Sequence, residues 1–211
     1  MTRTYGKAAD MTLLRRLSLS IGPSGCEDEV REVIKSELEK IPCTYTVDRL
    51  GNVIARMTFG QGEERMRLMV SAHMDEVGFM VTEVLEDGYL RVGSLGGMDP
   101  SILAGRKVMF VGEEGTVRGI LCSKAIHHKT QEERKKTEKL VKLYVDIGAA
   151  DKEEAERLCP VGTFGAFDSE FYTFGKDDRM VKGKALDDRM GCAALIEVMR
   201  SLAQNVPDVN L

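Results

Sequence analysis

Leu68-Met69-Val70-Ser71-Ala72-His73-Met74-Asp75 decides how this chain is read. The run Leu68–Ala72 predicts a strand that is apolar on both faces, as in the interior of a sheet covered by helices. At its carboxyl end stand an imidazole and a carboxylate two residues apart. Residues i and i+2 of a strand share a face, so His73 and Asp75 can act as a unit. That spacing suits a metal-ligating histidine whose orientation is set by an acidic neighbour. A lone histidine is ordinarily just a satisfied polar group. What raises His73 above that is its place at a strand end, where α/β sheets carry their sites. Glu76 adds a carboxylate on the face opposite to Asp75.

Upstream, the chain reads as α/β. Met11–Leu19 predicts a helix, followed by a Gly22-Pro23 turn. Ser24 and Glu27 have the spacing of a capping box. Behind them Val30, Val33, Ile34, Leu38 and Ile41 recur at helical period and stop before Pro42, a stripe that reads simply as core. Cys43–Val47 and Val53–Thr58 predict strands joined by the turn-rich link Asp48–Asn52. Gln61–Glu64 reads as a polar loop.

Downstream the texture changes. From about Val77 to Phe167, short β-prone runs alternate with glycine turns: Phe79–Thr82, Tyr89–Val92, Lys107–Val111 and Thr116–Ile120. Such repetition predicts a compact barrel or sandwich inserted into the α/β chain. Gln131–Lys139 is a charge run and reads as a solvated loop. Asp151–Leu158 predicts a short helix. After Phe171 the α/β character returns, with a helix carrying Cys192, Leu195, Ile196, Met199, Leu202 and Ala203 on one face. Val206–Leu211 reads as the entry to a further strand.

The chain has 211 residues, 43% of them hydrophobic and 30% charged, an ordinary globular composition. A net charge of -4 and a pI near 5.6 argue against nucleic acid as the main partner. No apolar run approaches the roughly 20 residues of a membrane span. The basic start Met1–Lys7 has no apolar core behind it and is not read as a secretory signal. Five scattered cysteines form no C-x-x-C pair, which points to reduced thiols and a cytoplasmic location.

A second candidate cluster is Asp187-Asp188-Arg189, ahead of the last helix. One aspartate capping that helix is the simpler reading. The functional one makes Asp187 a bridge between two divalent cations roughly 3.5–4 Å apart, with Asp188 capping or behind it and Arg189 offsetting the charge. His127-His128 is a weaker lead: adjacent histidines in a strand face opposite ways and do not share a metal easily. Gly93–Gly97 lacks a phosphate-loop pattern and reads as a tight turn.

Four stretches in this order resemble the M42 family of metallo-aminopeptidases. They are Ser71–Phe79 (SAHMDEVGF), Gly96–Pro100 (GGMDP), Leu143–Ala149 (LYVDIGA) and Lys184–Cys192 (KALDDRMGC), so the resemblance runs over nearly the whole chain. It implies an aminopeptidase-like (phosphorylase/aminopeptidase-type) α/β catalytic domain near residues 1–75 and 170–211. A small β-barrel-like domain over 76–169 would be inserted into it and mediate dimerisation. It further implies peptide substrates, a homo-oligomer built from dimers up to a dodecamer, and a site with two zinc or cobalt ions. His73 would match the histidine ligand of one metal, Asp187 the bridging carboxylate and Asp75 the acid that orients the histidine.

The family's two consecutive glutamates, a later aspartate ligand and a final histidine ligand all follow the Asp-Asp-Arg segment, and Leu211 precedes them. Two matched donors are fewer than the about three protein ligands that each catalytic ion needs. The expectation is therefore an incomplete catalytic domain that is inactive alone. The alternative is a non-catalytic assembly or regulatory module that keeps the dimerising insert. A metal-independent binding domain with fortuitous motifs is a third reading.

Overall fold

The computed structural model describes residues 11–60, 67–128, 130–134 and 140–205. The expectations for Met1–Lys7, Gln61–Glu64 and Val206–Leu211, and for the end of the charge run, lie outside them. The first regular elements are α1 (Thr12–Leu19), α2 (Asp28–Leu38), β1 (Thr44–Val47) and β2 (Val53–Arg56). Next come β3 (Gly78–Val84), β4 (Leu90–Leu95), β5 (Lys107–Gly112), β6 (Gly115–Cys122), α3 (Gln131–Arg134) and β7 (Tyr144–Asp146). The series ends with α4 (Lys152–Leu158), β8 (Phe164–Phe167), β9 (Tyr172–Phe174), β10 (Met180–Lys182) and α5 (Leu186–Gln204).

The chain divides into two compact units, one of residues 1–20, 30–74 and 171–211 and the other of residues 21–29 and 75–170. In the first, α1, α2 and α5 bury Leu13, Leu17, Val30, Ile34, Leu38, Ile41, Cys192 and Ile196 in one core. The periodic stripe of α2 is thus core. Two antiparallel ribbons accompany the helices, β1 with β2 and β9 with β10. Asp48 closes the first ribbon, accepting from Leu50 N, Asn52 N and Asn52 Nδ2. Glu37 is a buried carboxylate in this unit, gripped by Arg16 of α1, Arg200 of α5 and Lys40.

The second unit is a closed barrel of six antiparallel strands in the order β3-β4-β7-β6-β5-β8, with β8 returning to β3. Closure removes the exposed edges that an open sheet of short strands would present. Inward positions alternate with outward ones, and Phe79, Val81, Leu90, Val108, Phe110, Leu121 and Val145 fill the interior. Phe79 meets Phe167 edge to face with ring centroids 5.1 Å apart. Helix α4, capped by Asp151 through Glu154 N at 2.9 Å, adds Ala155 to the same core, and Cys159 follows. The fold is therefore α/β with a barrel, as the alternation of textures in the sequence suggests.

The principal correction concerns Leu68–Ala72. It forms no regular element, and Leu68, Met69 and Val70 are 68%, 89% and 62% exposed. A strand covered on both faces needs neighbouring strands and layers. Among the described residues the first unit offers only two two-stranded ribbons, and neither includes this run. Apolarity alone therefore does not bury it.

Candidate metal centre

Ala72 and Met74 pack half-buried against the helical core of the first unit, which turns the intervening His73 outward. The alternation expected of a strand thus survives at this point without the strand. The Cys192 thiol of α5 donates to the main-chain carbonyl of His73 at 3.3 Å, tying the segment to that helix.

Asp187 comes from the start of the same helix. Ala185 is left-handed (φ 52°), and Asp187 and Asp188 have non-helical backbones. The peptide between the two aspartates is cis. Asp188 serves as the cap, its Oδ1 accepting from Gly191 N at 3.0 Å. A Cβ at position 191 would run into that carboxylate, so the glycine keeps the cap open. With Asp188 so engaged, Asp187 turns to His73, whose Nε2 lies 3.1 Å from Asp187 Oδ1. The two side chains are 55% and 96% exposed.

Asp75 follows His73 by two residues, at the point where the chain enters the barrel unit. Its carboxylate accepts a hydrogen bond from the Ser24 hydroxyl. Ser24 therefore serves Asp75, while Glu27 of the expected capping box accepts from Gly25 N at 2.6 Å. Glu76 is buried and accepts from Gly22 N at 3.1 Å, which pins the Gly22-Pro23 turn. His127 and His128 are exposed in one 3-10 turn, not a strand. Gly93–Leu95 ends β4, and Gly96 turns the chain with φ 83°.

Sequence reasoning missed Ser24 and Cys192 as partners of this region. The S-x-x-E spacing points Ser24 toward its own helix, and Cys192 reads as one more apolar residue of the α5 face. No local pattern marks a hydrogen bond across 119 residues.

The pair suits a divalent ion in donor chemistry and spacing. Two donors at tetrahedral zinc bond lengths lie roughly 3.3 Å apart, close to the separation here. The donor number does not suffice: among the described residues no group of three or more His, Cys, Asp and Glu could hold a metal. Among the described residues the chain thus presents one imidazole–carboxylate pair and no closed donor set.

The family model for M42 glutamyl aminopeptidase matches residues 51–211. The protein FrvX of Escherichia coli K12 is 34% identical over 204 residues, 96% of this chain and 55% of FrvX. The TET aminopeptidase of a marine-sediment archaeon of the Thaumarchaeota superposes with a TM-score of 0.86 at 36% identity, covering 94% of this chain and 55% of that one. The TET1 peptidase of Pyrococcus horikoshii, described as assembling into a tetrahedron or a large octahedral shell, gives a TM-score of 0.78 at 36% identity, with 92% and 56% covered. The chain spans about half the length of the curated relatives it matches. On sequence and fold alike, the chain belongs to the M42 glutamyl aminopeptidase family.

Proposed function

We propose that this chain contributes one part of the active centre of a metal-dependent aminopeptidase, which removes amino-terminal residues from peptides. The observation that carries the reading is the 3.1 Å approach of His73 Nε2 to Asp187 Oδ1 in a chain of this family. In this reading both would hold metal, Asp187 with a carboxylate oxygen available to each of two divalent ions, and Asp75 would orient His73. Imidazole and carboxylate accept zinc and cobalt alike. Such ions, when bound, supply an activated water and stabilise charge on the carbonyl oxygen. The chain's own residues hold an imidazole and a carboxylate side by side, open to an incoming peptide, while Asp188 caps the helix behind them.

Residues 1–75 and 170–211 are assigned to the catalytic domain and 76–169 to a dimerisation insert. By extension from the Pyrococcus horikoshii shells and the PhTET1 dodecamer, dimers build a larger homo-oligomer, up to a dodecamer. A cytoplasmic setting belongs to this reading, on the five scattered cysteines without a C-x-x-C pair. Among the described residues no helix is long and apolar enough to cross a membrane.

A chimera with residues 11–205 in place of the matched part of FrvX tests the assignment. It is expected to release aminoacyl-anilide products in a chelator-sensitive way and to lose this with His73→Ala or Asp187→Asn. A folded, active chimera indifferent to both substitutions overturns the assignment. The 211-residue chain alone is expected to show negligible turnover, since the two donors brought together among the described residues are too few; robust chelator-sensitive turnover would contradict that.

The closed barrel with its own buried core favours a second reading, a non-catalytic assembly module. It requires stable dimers and binding to a full-length relative. A monomer that ignores FrvX in size-exclusion mixing counts against it.

A further inference from the structure

The turn that carries Asp187 is bound to the end of α1 by three side chains. Ser18 Oγ donates to Lys184 O at 2.6 Å, and Lys184 Nζ donates to Ser20 O at 2.6 Å. Arg189 Nη1 donates to Leu17 O at 2.5 Å and to Ser20 O at 3.4 Å. These bonds all converge on the four-residue window Leu17–Ser20, across more than 160 residues of sequence. A Cβ on Gly183, the residue before the turn, would come within 2.6 Å of Ser18 Oγ and 2.9 Å of Phe171 Cδ2, so only glycine permits this approach.

The burial pattern is unusual for a charged turn. Asp187 has the most exposed side chain of the pair site, whereas Lys184 is 8% and Arg189 0% exposed. Moving a cation out of water is costly unless oriented dipoles or counter-charges receive it. The last carbonyls of a helix point along its axis with partial negative charge, and they receive both cations here. Packing alone does not call for a lysine and an arginine at these two positions, because an apolar side chain would fill the same space without desolvating charge. What the cations provide is direction: each fixes one end of the turn against the same helix terminus, and the aspartate between them is left pointing outward.

We propose that Ser18, Lys184 and Arg189 are positioning residues for Asp187, locking the Lys184–Arg189 turn onto the carbonyl end of α1 so that the carboxylate meets His73. The proposal rests on the reading of Asp187 as a metal donor. Helix α1 thereby acts as the bench on which one donor is set, although it contributes no donor itself.

The test uses the 211-residue chain with Ser18→Ala and Lys184→Met, reading amide hydrogen exchange and zinc affinity by titration calorimetry. Exchange at residues 184–188 is expected to quicken about tenfold, with α5 from Ala193 onward unchanged. Zinc affinity should fall about tenfold, the scale on which groups behind metal ligands act. Unchanged exchange at 184–188, or a uniform rise through α1 and α5, overturns positioning and leaves a general structural role. A wild-type chain that takes up no zinc overturns the metal reading instead, and the exchange pattern still decides whether the turn is locked.

Discussion

The Cys192 thiol donates to the main-chain carbonyl of His73 at 3.3 Å, so helix α5 holds both members of the candidate pair, one by its first turn and the other through this bond. Burial pushes the Cys192 thiol up to about 11. At pH 8 only about one such thiol in a thousand is ionised, and the thiolate is the reactive form. Iodoacetamide followed by mass spectrometry is expected to modify Cys192 and the likewise shifted Cys159 last, after Cys26, Cys43 and Cys122. Labelling of Cys192 as fast as Cys43 would contradict the buried bond. Cys192→Ala is expected to cost about 1–2 kcal/mol in urea unfolding, from one lost hydrogen bond and a small cavity.

Glu37 gives the first unit an acid-sensitive joint. Burial alone would raise its carboxyl, but hydrogen bonds and charge from Lys40 and Arg16 outweigh that and hold it below the usual glutamate range. A depressed folded value means the stabilisation is full above the unfolded value near 4.5 and is lost as pH falls through the folded one. Urea midpoints are expected to drop below about pH 4.5 in the wild type and to drop less in Glu37→Gln. At pH 7 that substitution is expected to cost about 1–3 kcal/mol, because it leaves two arginines and a lysine without their shared carboxylate. An identical acid limb in both proteins would rule out this joint as the cause.

Leu68, Met69 and Val70 form an exposed apolar run of the kind that invites self-association. Changing them to Ser, Gln and Thr is expected to alter stability by no more than about 0.5 kcal/mol per site, as at ordinary surface positions. Leu17→Ala, fully buried in the same unit, is expected to cost about 2–5 kcal/mol. Light scattering should show less aggregation in the triple variant. A loss above about 3 kcal/mol would show that the run is packed after all.

The legible parts of this structure are those whose signal is local. The stripe from Val30 to Ile41 is a helix packed on the core, because helical period and burial coincide there. The short runs between Val77 and Phe167 announce a small β unit, and their even spacing with glycine turns is what a closed barrel requires. Asp187 and His73 were separable candidates in sequence, 114 residues apart, and only the fold brings them to 3.1 Å. Leu68–Ala72 misleads because burial depends on neighbours as much as on a residue's own apolarity. The roles of Ser24, Lys184 and Arg189 were hidden for a related reason. Each depends on a carbonyl or carboxylate from a distant segment, and residue type alone does not say which way a polar side chain will turn.

The central claim is that His73 and Asp187 form one edge of a metal centre. The most direct measurement is cobalt(II) titration of the isotopically labelled chain, followed by NMR line broadening. The expected result is selective broadening at residues 72–74 and 186–188 at the lowest cobalt additions, lost in both His73→Ala and Asp187→Asn. Broadening that begins instead at His127 and His128, or that survives both substitutions, would contradict the account.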